Sequence, residues 1–141
     1  MTLPTTRAAI ARLVPHQGAM CLLEGVSACD ADRIACTSAT HRDAANPLRR
    51  DGVLPAICGV EYGLQAMALH GALTAGAAQP AGFVAALAGV ELAAERLDDV
   101  PGALEVTATA LSRETRGFIY AFAVAGGGRV LVAGRGTVVL A

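Results

Sequence analysis

Two rows of alternating residues dominate the second half of the chain. Leu104, Val106, Ala108 and Ala110 alternate with Glu105, Thr107 and Thr109, and Phe118, Tyr120, Phe122 and Val124 form a second row of the same period. Successive side chains of a strand point to opposite faces, so each row predicts a strand with one buried side. With their neighbours they give strands over about 83–95, 103–113, 117–126 and 129–140, with reversals at Arg113 to Gly117 and Gly126 to Gly128. Near the start, residues 20–29 and 32–40 read as two strands around the short polar link Cys29-Asp30-Ala31-Asp32, a hairpin. Before them, residues 5–14 can form a short helix with Ala8, Ile10 and Leu13 on one side, limited by Pro15.

The pattern changes after Pro55, which suits a first helical turn. A helix is predicted from about Ile57 to Ala75, with Gly76 as its stop. Val60, Leu64, Met67 and Leu69 give it bulk, whereas Gly59, Gly63, Gly71 and several alanines keep its sides thin. Each interior glycine costs about 1 kcal/mol relative to alanine, so close approach by a surrounding sheet is needed in compensation. The polar stretch from His41 to Gly52 reads as a loop, since too few residues precede it to make a domain. The expected architecture is α+β: residues 1–141 as one domain, about six antiparallel strands curved around one long helix.

Composition sharpens this picture. Apolar residues make up 54% of the chain and charged ones only 16%, below the roughly 25% usual for a globular domain, which favours self-association through an exposed sheet edge. Eleven arginines nearly balance twelve acidic residues without a long basic run, so a nucleic-acid reader is not expected. Cys21, Cys29, Cys36 and Cys58 show no CxxC spacing and no secretory leader precedes them, which points to a reducing cytoplasm without a metal site or disulfide framework. Apolar runs are broken before eighteen residues accumulate, so no membrane span is expected. No glycine-rich dinucleotide loop follows an early strand.

Candidate chemistry concentrates in two stretches. In LVPHQGAMCLLEGV, Leu13 to Val26, His16 precedes an apolar run; it is either a reactive group at the mouth of a site or an anchor for the turn. In LPAICGVEYGLQAM, Glu61 lies about one turn into a helix otherwise small and apolar. Burial disfavours its charge and the helix start favours it, opposing influences that suit a proton-exchanging group; the alternative is a wet first-turn carboxylate bonded to backbone donors. Gln65, four residues on, can bond Glu61, orient a water, or serve structure alone. Cys58 near the helix start is a packing residue or a thiol of lowered pKa. Arg49-Arg50 is the only concentrated positive spot, either a solvated pair or a seat for a small anion.

These two segments together resemble the hot-dog-fold 3-hydroxyacyl-[acyl-carrier-protein] dehydratases, over nearly the whole chain. The Pro-His pair leading into an apolar strand resembles that family's early segment, and Pro55, Glu61 and Gln65 have the spacing of its central helix. The resemblance implies a dimer with active sites at the subunit interface, where a histidine of one subunit and an Asp or Glu from the other's helix act on an acyl thioester. It makes Glu61 the catalytic carboxylate. It also implies a substrate carried by phosphopantetheine, on acyl carrier protein or coenzyme A, with no intrinsic cofactor.

One departure is plain. The family's catalytic histidine opens a Gly-His-Phe-Pro-Gly segment before the central helix, and alignment on Pro55 puts it at Pro47, which has neither an acid–base group nor a backbone N–H. Of the three histidines, His16 is the best replacement. His70 stands nine residues beyond Glu61, roughly 13 Å along a helix, and His41 begins the polar loop. Free N–H groups at Ala56, Ile57 or Cys58 can polarise the thioester carbonyl, and Arg49 and Arg50 can meet pantetheine phosphate or an acidic carrier. Three functions follow: dehydration of a 3-hydroxyacyl thioester to the trans-2-enoyl thioester, thioester hydrolysis, or a non-catalytic subunit of a dehydratase heterodimer. The implied pathways are fatty-acid, polyketide or aryl-polyene assembly, and the implied partner is a second hot-dog chain, identical or related.

Overall fold

The computed structural model describes residues 2–76, 82–114 and 116–140. Its elements run α1 (Arg7–Ala11), β1 (Gly25–Cys29), β2 (Arg33–Ser38), α2 (Gly59–Ala75), β3 (Gly82–Leu92), β4 (Leu104–Arg113), β5 (Gly117–Gly126) and β6 (Arg129–Leu140). Single 3-10 turns lie at Gly18–Met20, Thr40–Arg42 and Ala56–Cys58. The strands form one antiparallel sheet in the order β1-β2-β4-β5-β6-β3. This is the α+β hot-dog arrangement the sequence led one to expect. Thr115, within the expected reversal, lies outside the described residues, but Glu114 N–H still bonds Gly117 C=O across it at 2.8 Å.

The two alternating rows meet in register, Val106 opposite Val124 and Ala108 opposite Phe122, and the helix packs on the face they share. Thin positions make that possible. A methyl group on Gly63 would lie 2.4 Å from Phe122 Cδ1, and one on Gly59 would lie 2.8 Å from Val132 Cγ2. Eleven of the helix's seventeen residues are buried. What stays half-open is one stripe, Glu61, Leu64, Ala68 and Gly71, at the three- and four-residue spacing of a single helix face. Gly76 closes the helix in the left-handed conformation at φ 76°, its N–H bonded to Ala72 C=O.

Three boundaries differ from expectation for physical reasons. The strand expected over 20–29 begins only at Gly25, because Cys21 to Leu23 are buried with the Leu22 backbone bonded to side chains rather than to a neighbouring strand. The short helix spans five residues rather than ten, with Thr6 Oγ1 accepting from Ala9 N–H at its start. The strand expected to reach residue 95 stops at Leu92, and the following segment secures the start of α2 instead. There Ala56 N–H bonds Glu95 C=O, Leu97 N–H bonds Leu54 C=O, and Leu54 N–H bonds the Asp98 carboxylate. Arg96 pairs with the same carboxylate, and chiefly that bond holds Asp98 down to about 2. Among the described residues, no helix is long and apolar enough to cross a membrane.

Candidate active site

Residues Val14 to Leu22 cross the first turn of α2, and two side chains meet there. His16 Nε2 lies 3.0 Å from Glu61 Oε1, with 25% and 29% of the two side chains exposed. Gln65 Nε2 reaches the same carboxylate oxygen at 3.4 Å. Both donors fall on Oε1, which leaves Oε2 without a protein donor among the described residues. The His16 bond is the chief reason Glu61 lies below the ordinary glutamate value, outweighing the burial that pushes it up. His16 Nδ1 is buried without a partner.

Gln65 both bonds Glu61 and serves structure. Besides touching Glu61, it donates to Met20 C=O at 2.7 Å and accepts from Leu22 N–H at 2.9 Å, so it joins the helix to the His16 segment. Leu48, Ile57, Cys58, Val60, Glu61 and Leu87 line a groove of about 290 Å³, which Glu61 of the pair reaches and His16 borders only through Glu61. Apart from the carboxylate its lining side chains are apolar or a thiol, a surface suited to an acyl chain.

The other expected site residues divide. Of the three helix-start amides, Ala56 N–H is bonded to Glu95 C=O and Cys58 N–H to Pro55 C=O, so neither is free for an oxyanion. Ile57 N–H has no backbone acceptor among the described residues, and its side chain lines the groove. Cys58 is half-buried and burial pushes its thiol up, which opposes the lowered value suggested by its place near a helix start. Arg49 is engaged internally, its guanidinium bonded to Gly52 and His41 carbonyls, whereas Arg50 is exposed and its guanidinium bonds only Arg49 C=O among the described residues.

The remaining histidines are structural in geometry. His41 is fully buried with Nε2 3.0 Å from Val100 C=O, and burial holds it below the usual histidine value. The loop it opens is internally bonded: Asn46 ties Thr40 C=O to the Tyr62 hydroxyl, and Thr40 and Ser38 hydroxyls converge on Leu22 C=O. This buried hydroxyl and amide network carried no sequence signal, since isolated Ser, Thr and Asn residues look alike wherever they fall. His70 packs into the sheet, far from the groove, with both ring nitrogens bonded.

Comparison with solved structures places this geometry in a known fold. The dehydratase heterocomplex ApeI:P from Xenorhabdus doucetiae aligns over 94% of this chain and 90% of its own with a TM-score of 0.81 and 22% identity. S. sahachiroi AziG aligns over 92% and 98% at TM-score 0.65 and 16% identity. The thioesterase HI1161 from Haemophilus influenzae aligns over 82% and 76% at 0.58 and 14%. No curated protein matches the sequence. The family is shown by the sequence itself: residues 8–140 match the ApeP-like model, described as ApeP dehydratase, and the chain belongs to that family.

Proposed function

We propose that this chain is a catalytic subunit of a 3-hydroxyacyl thioester dehydratase, with His16 and Glu61 as its proton-transferring pair. The observation that carries this reading is the 3.0 Å contact of His16 Nε2 with Glu61 Oε1 at the edge of an apolar groove, formed within a single chain. It supplies what Pro47 removed: a histidine beside the helix carboxylate, contributed by the segment before β1.

Dehydration needs a base at C2 and an acid at the C3 hydroxyl. In this reading the pair is a carboxylate beside an imidazolium that carries hydrogens on both Nδ1 and Nε2. Glu61, held anionic by the His16 bond, takes the C2 proton through Oε2, and the C2–H electrons form the new double bond as the C3–O bond breaks. His16 delivers its Nε2 proton to the departing hydroxyl, which leaves as water. Transfer from Glu61 back to His16 resets the pair. Ile57 N–H is the one expected amide without a backbone acceptor among the described residues and in this reading polarises the thioester carbonyl, while exposed Arg50 meets a pantetheine phosphate.

Assembly with a second hot-dog chain, on an acyl carrier protein or coenzyme A thioester, belongs to the same reading. Among the described residues β3 pairs only with β6, leaving a long edge, and Val84, Leu87 and Leu92 of β3 are exposed. An uncovered apolar edge is a pairing surface, and the structural relative named above is a heterocomplex. That relative and the ApeP family match also support aryl-polyene assembly as the setting. The test is enoyl thioester formation by the protein, alone and with a related hot-dog partner. H16A and E61Q are each expected to lose roughly 100-fold or more of kcat while remaining folded. Full activity in either removes that residue from the mechanism, and thiol release without an enoyl product selects hydrolysis.

A further inference from the structure

The segment carrying His16 is held through its backbone, residue by residue. Arg7 Nη2 donates to Ala19 C=O at 3.0 Å and Arg7 Nε donates to Cys21 C=O at 2.6 Å. Between and after these, Gln65 takes Met20 C=O, and Ser38 and Thr40 take Leu22 C=O. Four consecutive carbonyls thus accept side-chain donors, alternately from α1 and from the body of the protein. Cys21 Sγ returns a contact to Arg7 C=O at 3.8 Å, so residues 7 and 21 close a loop with His16 in its middle. Gln17 secures the inner side, donating to Ala11 and Val14 carbonyls, and Gly18 turns the chain at φ 59°.

We propose that Arg7 is a positioning residue for the His16–Glu61 pair: its guanidinium closes the loop that holds the imidazole against the carboxylate. This rests on the dehydratase reading for its consequence in catalysis, though not for its geometry. His16 has one bonded nitrogen and a buried second without a partner, so among the described residues Glu61 is the only hydrogen-bond partner of the ring. Orientation must come from the backbone on either side. Gln65 holds two points of that backbone but is itself bonded to Glu61, so it moves with the helix. Ser38 and Thr40 hold only its far end, at Leu22, and Arg7 is the tie that joins α1 to the segment without touching Glu61. An arginine suits the task because its planar fork presents two donors at fixed separation, matched here to carbonyls two residues apart.

The experiment compares wild-type, R7A and H16A proteins by two readouts: kcat and KM for enoyl formation, and the titration of the Glu61 carboxyl followed by carbon NMR. Loss of the imidazole contact removes the main cause holding Glu61 low, so R7A is expected to raise its midpoint in the direction H16A does. In R7A, kcat falls roughly 10- to 100-fold with KM little changed, the mark of a displaced group rather than lost binding. Where R7A does not fold, R7Q serves by the same criteria, since its single shorter amide cannot span both carbonyls. A folded variant with wild-type kcat and wild-type Glu61 titration overturns the proposal. A fully active H16A overturns the catalytic reading instead, and the Glu61 midpoint of R7A then still decides whether Arg7 positions the ring.

Discussion

His16 and His70 are the same side chain in opposite circumstances. His70 is fully buried, its Nε2 2.9 Å from Asp30 C=O and its Nδ1 2.6 Å from the Tyr120 hydroxyl. A carbonyl only accepts, so Nε2 carries the hydrogen and Nδ1 accepts from tyrosine; both nitrogens are occupied and the tautomer is fixed. His16 stands partly open beside a groove, with one nitrogen on a carboxylate and the other unpartnered. A fully bonded ring joins elements, here α2 to β5 and the β1–β2 turn. A ring with an exchangeable partner and access to solvent can move a proton.

Separate losses in the two variants are the sharpest test of this contrast. H70A leaves a cavity and at least one buried group unbonded, and is expected to lower unfolding free energy by about 3 kcal/mol, measured by urea denaturation. The folded fraction should keep its specific activity. H16A should do the reverse, losing enoyl formation at a stability cost of about 1 kcal/mol, as for a pair still partly open to solvent. The comparison breaks when H70A slows turnover in fully folded protein, or when H16A unfolds while its remaining native fraction turns over normally.

Much of this arrangement was legible in the chain and the rest was hidden for identifiable reasons. The helix and the alternating rows of β4 and β5 were clear because a single buried face imposes a period on many residues at once. Glu61 stood out as a charge in an apolar helix. The ties that orient His16 did not, because Arg7, Gln65, Ser38 and Thr40 act on backbone carbonyls, and a carbonyl leaves no mark on the identity of the residue that bears it. The same blindness made Ala56 and Cys58 look like free donors, when the segment after β3 and Pro55 already engage them. Residues 20–24 read as strand from their apolar run, though the Leu22 backbone at their centre is bonded to side chains.

A smaller change probes the fixed ring without emptying its site. Y120F removes the hydroxyl that bonds His70 Nδ1, leaving a buried acceptor unmet while the aromatic packing remains. The expected cost is about 1–3 kcal/mol in thermal or urea unfolding, with activity retained. A cost near zero would mean the His70 bonds do not hold α2 to the sheet, and the joint would then be one of packing alone.

The smallest effect concerns the open pair and its dependence on pH. Glu61 lies below its ordinary value mainly because His16 bonds it, so its folded form favours the anion more than the unfolded chain does. A depressed carboxylate contributes stability that is present above its unfolded value, about 4.3, and is lost as pH falls through the folded value. Both side chains are about a quarter exposed, so this contribution is expected to stay within about 1 kcal/mol. The difference in unfolding free energy between wild type and E61Q should therefore shrink on acidification from neutrality through that window and stay flat above it. A gap that instead widens toward acid would mean the carboxyl is raised in the folded state, with burial outweighing the imidazole.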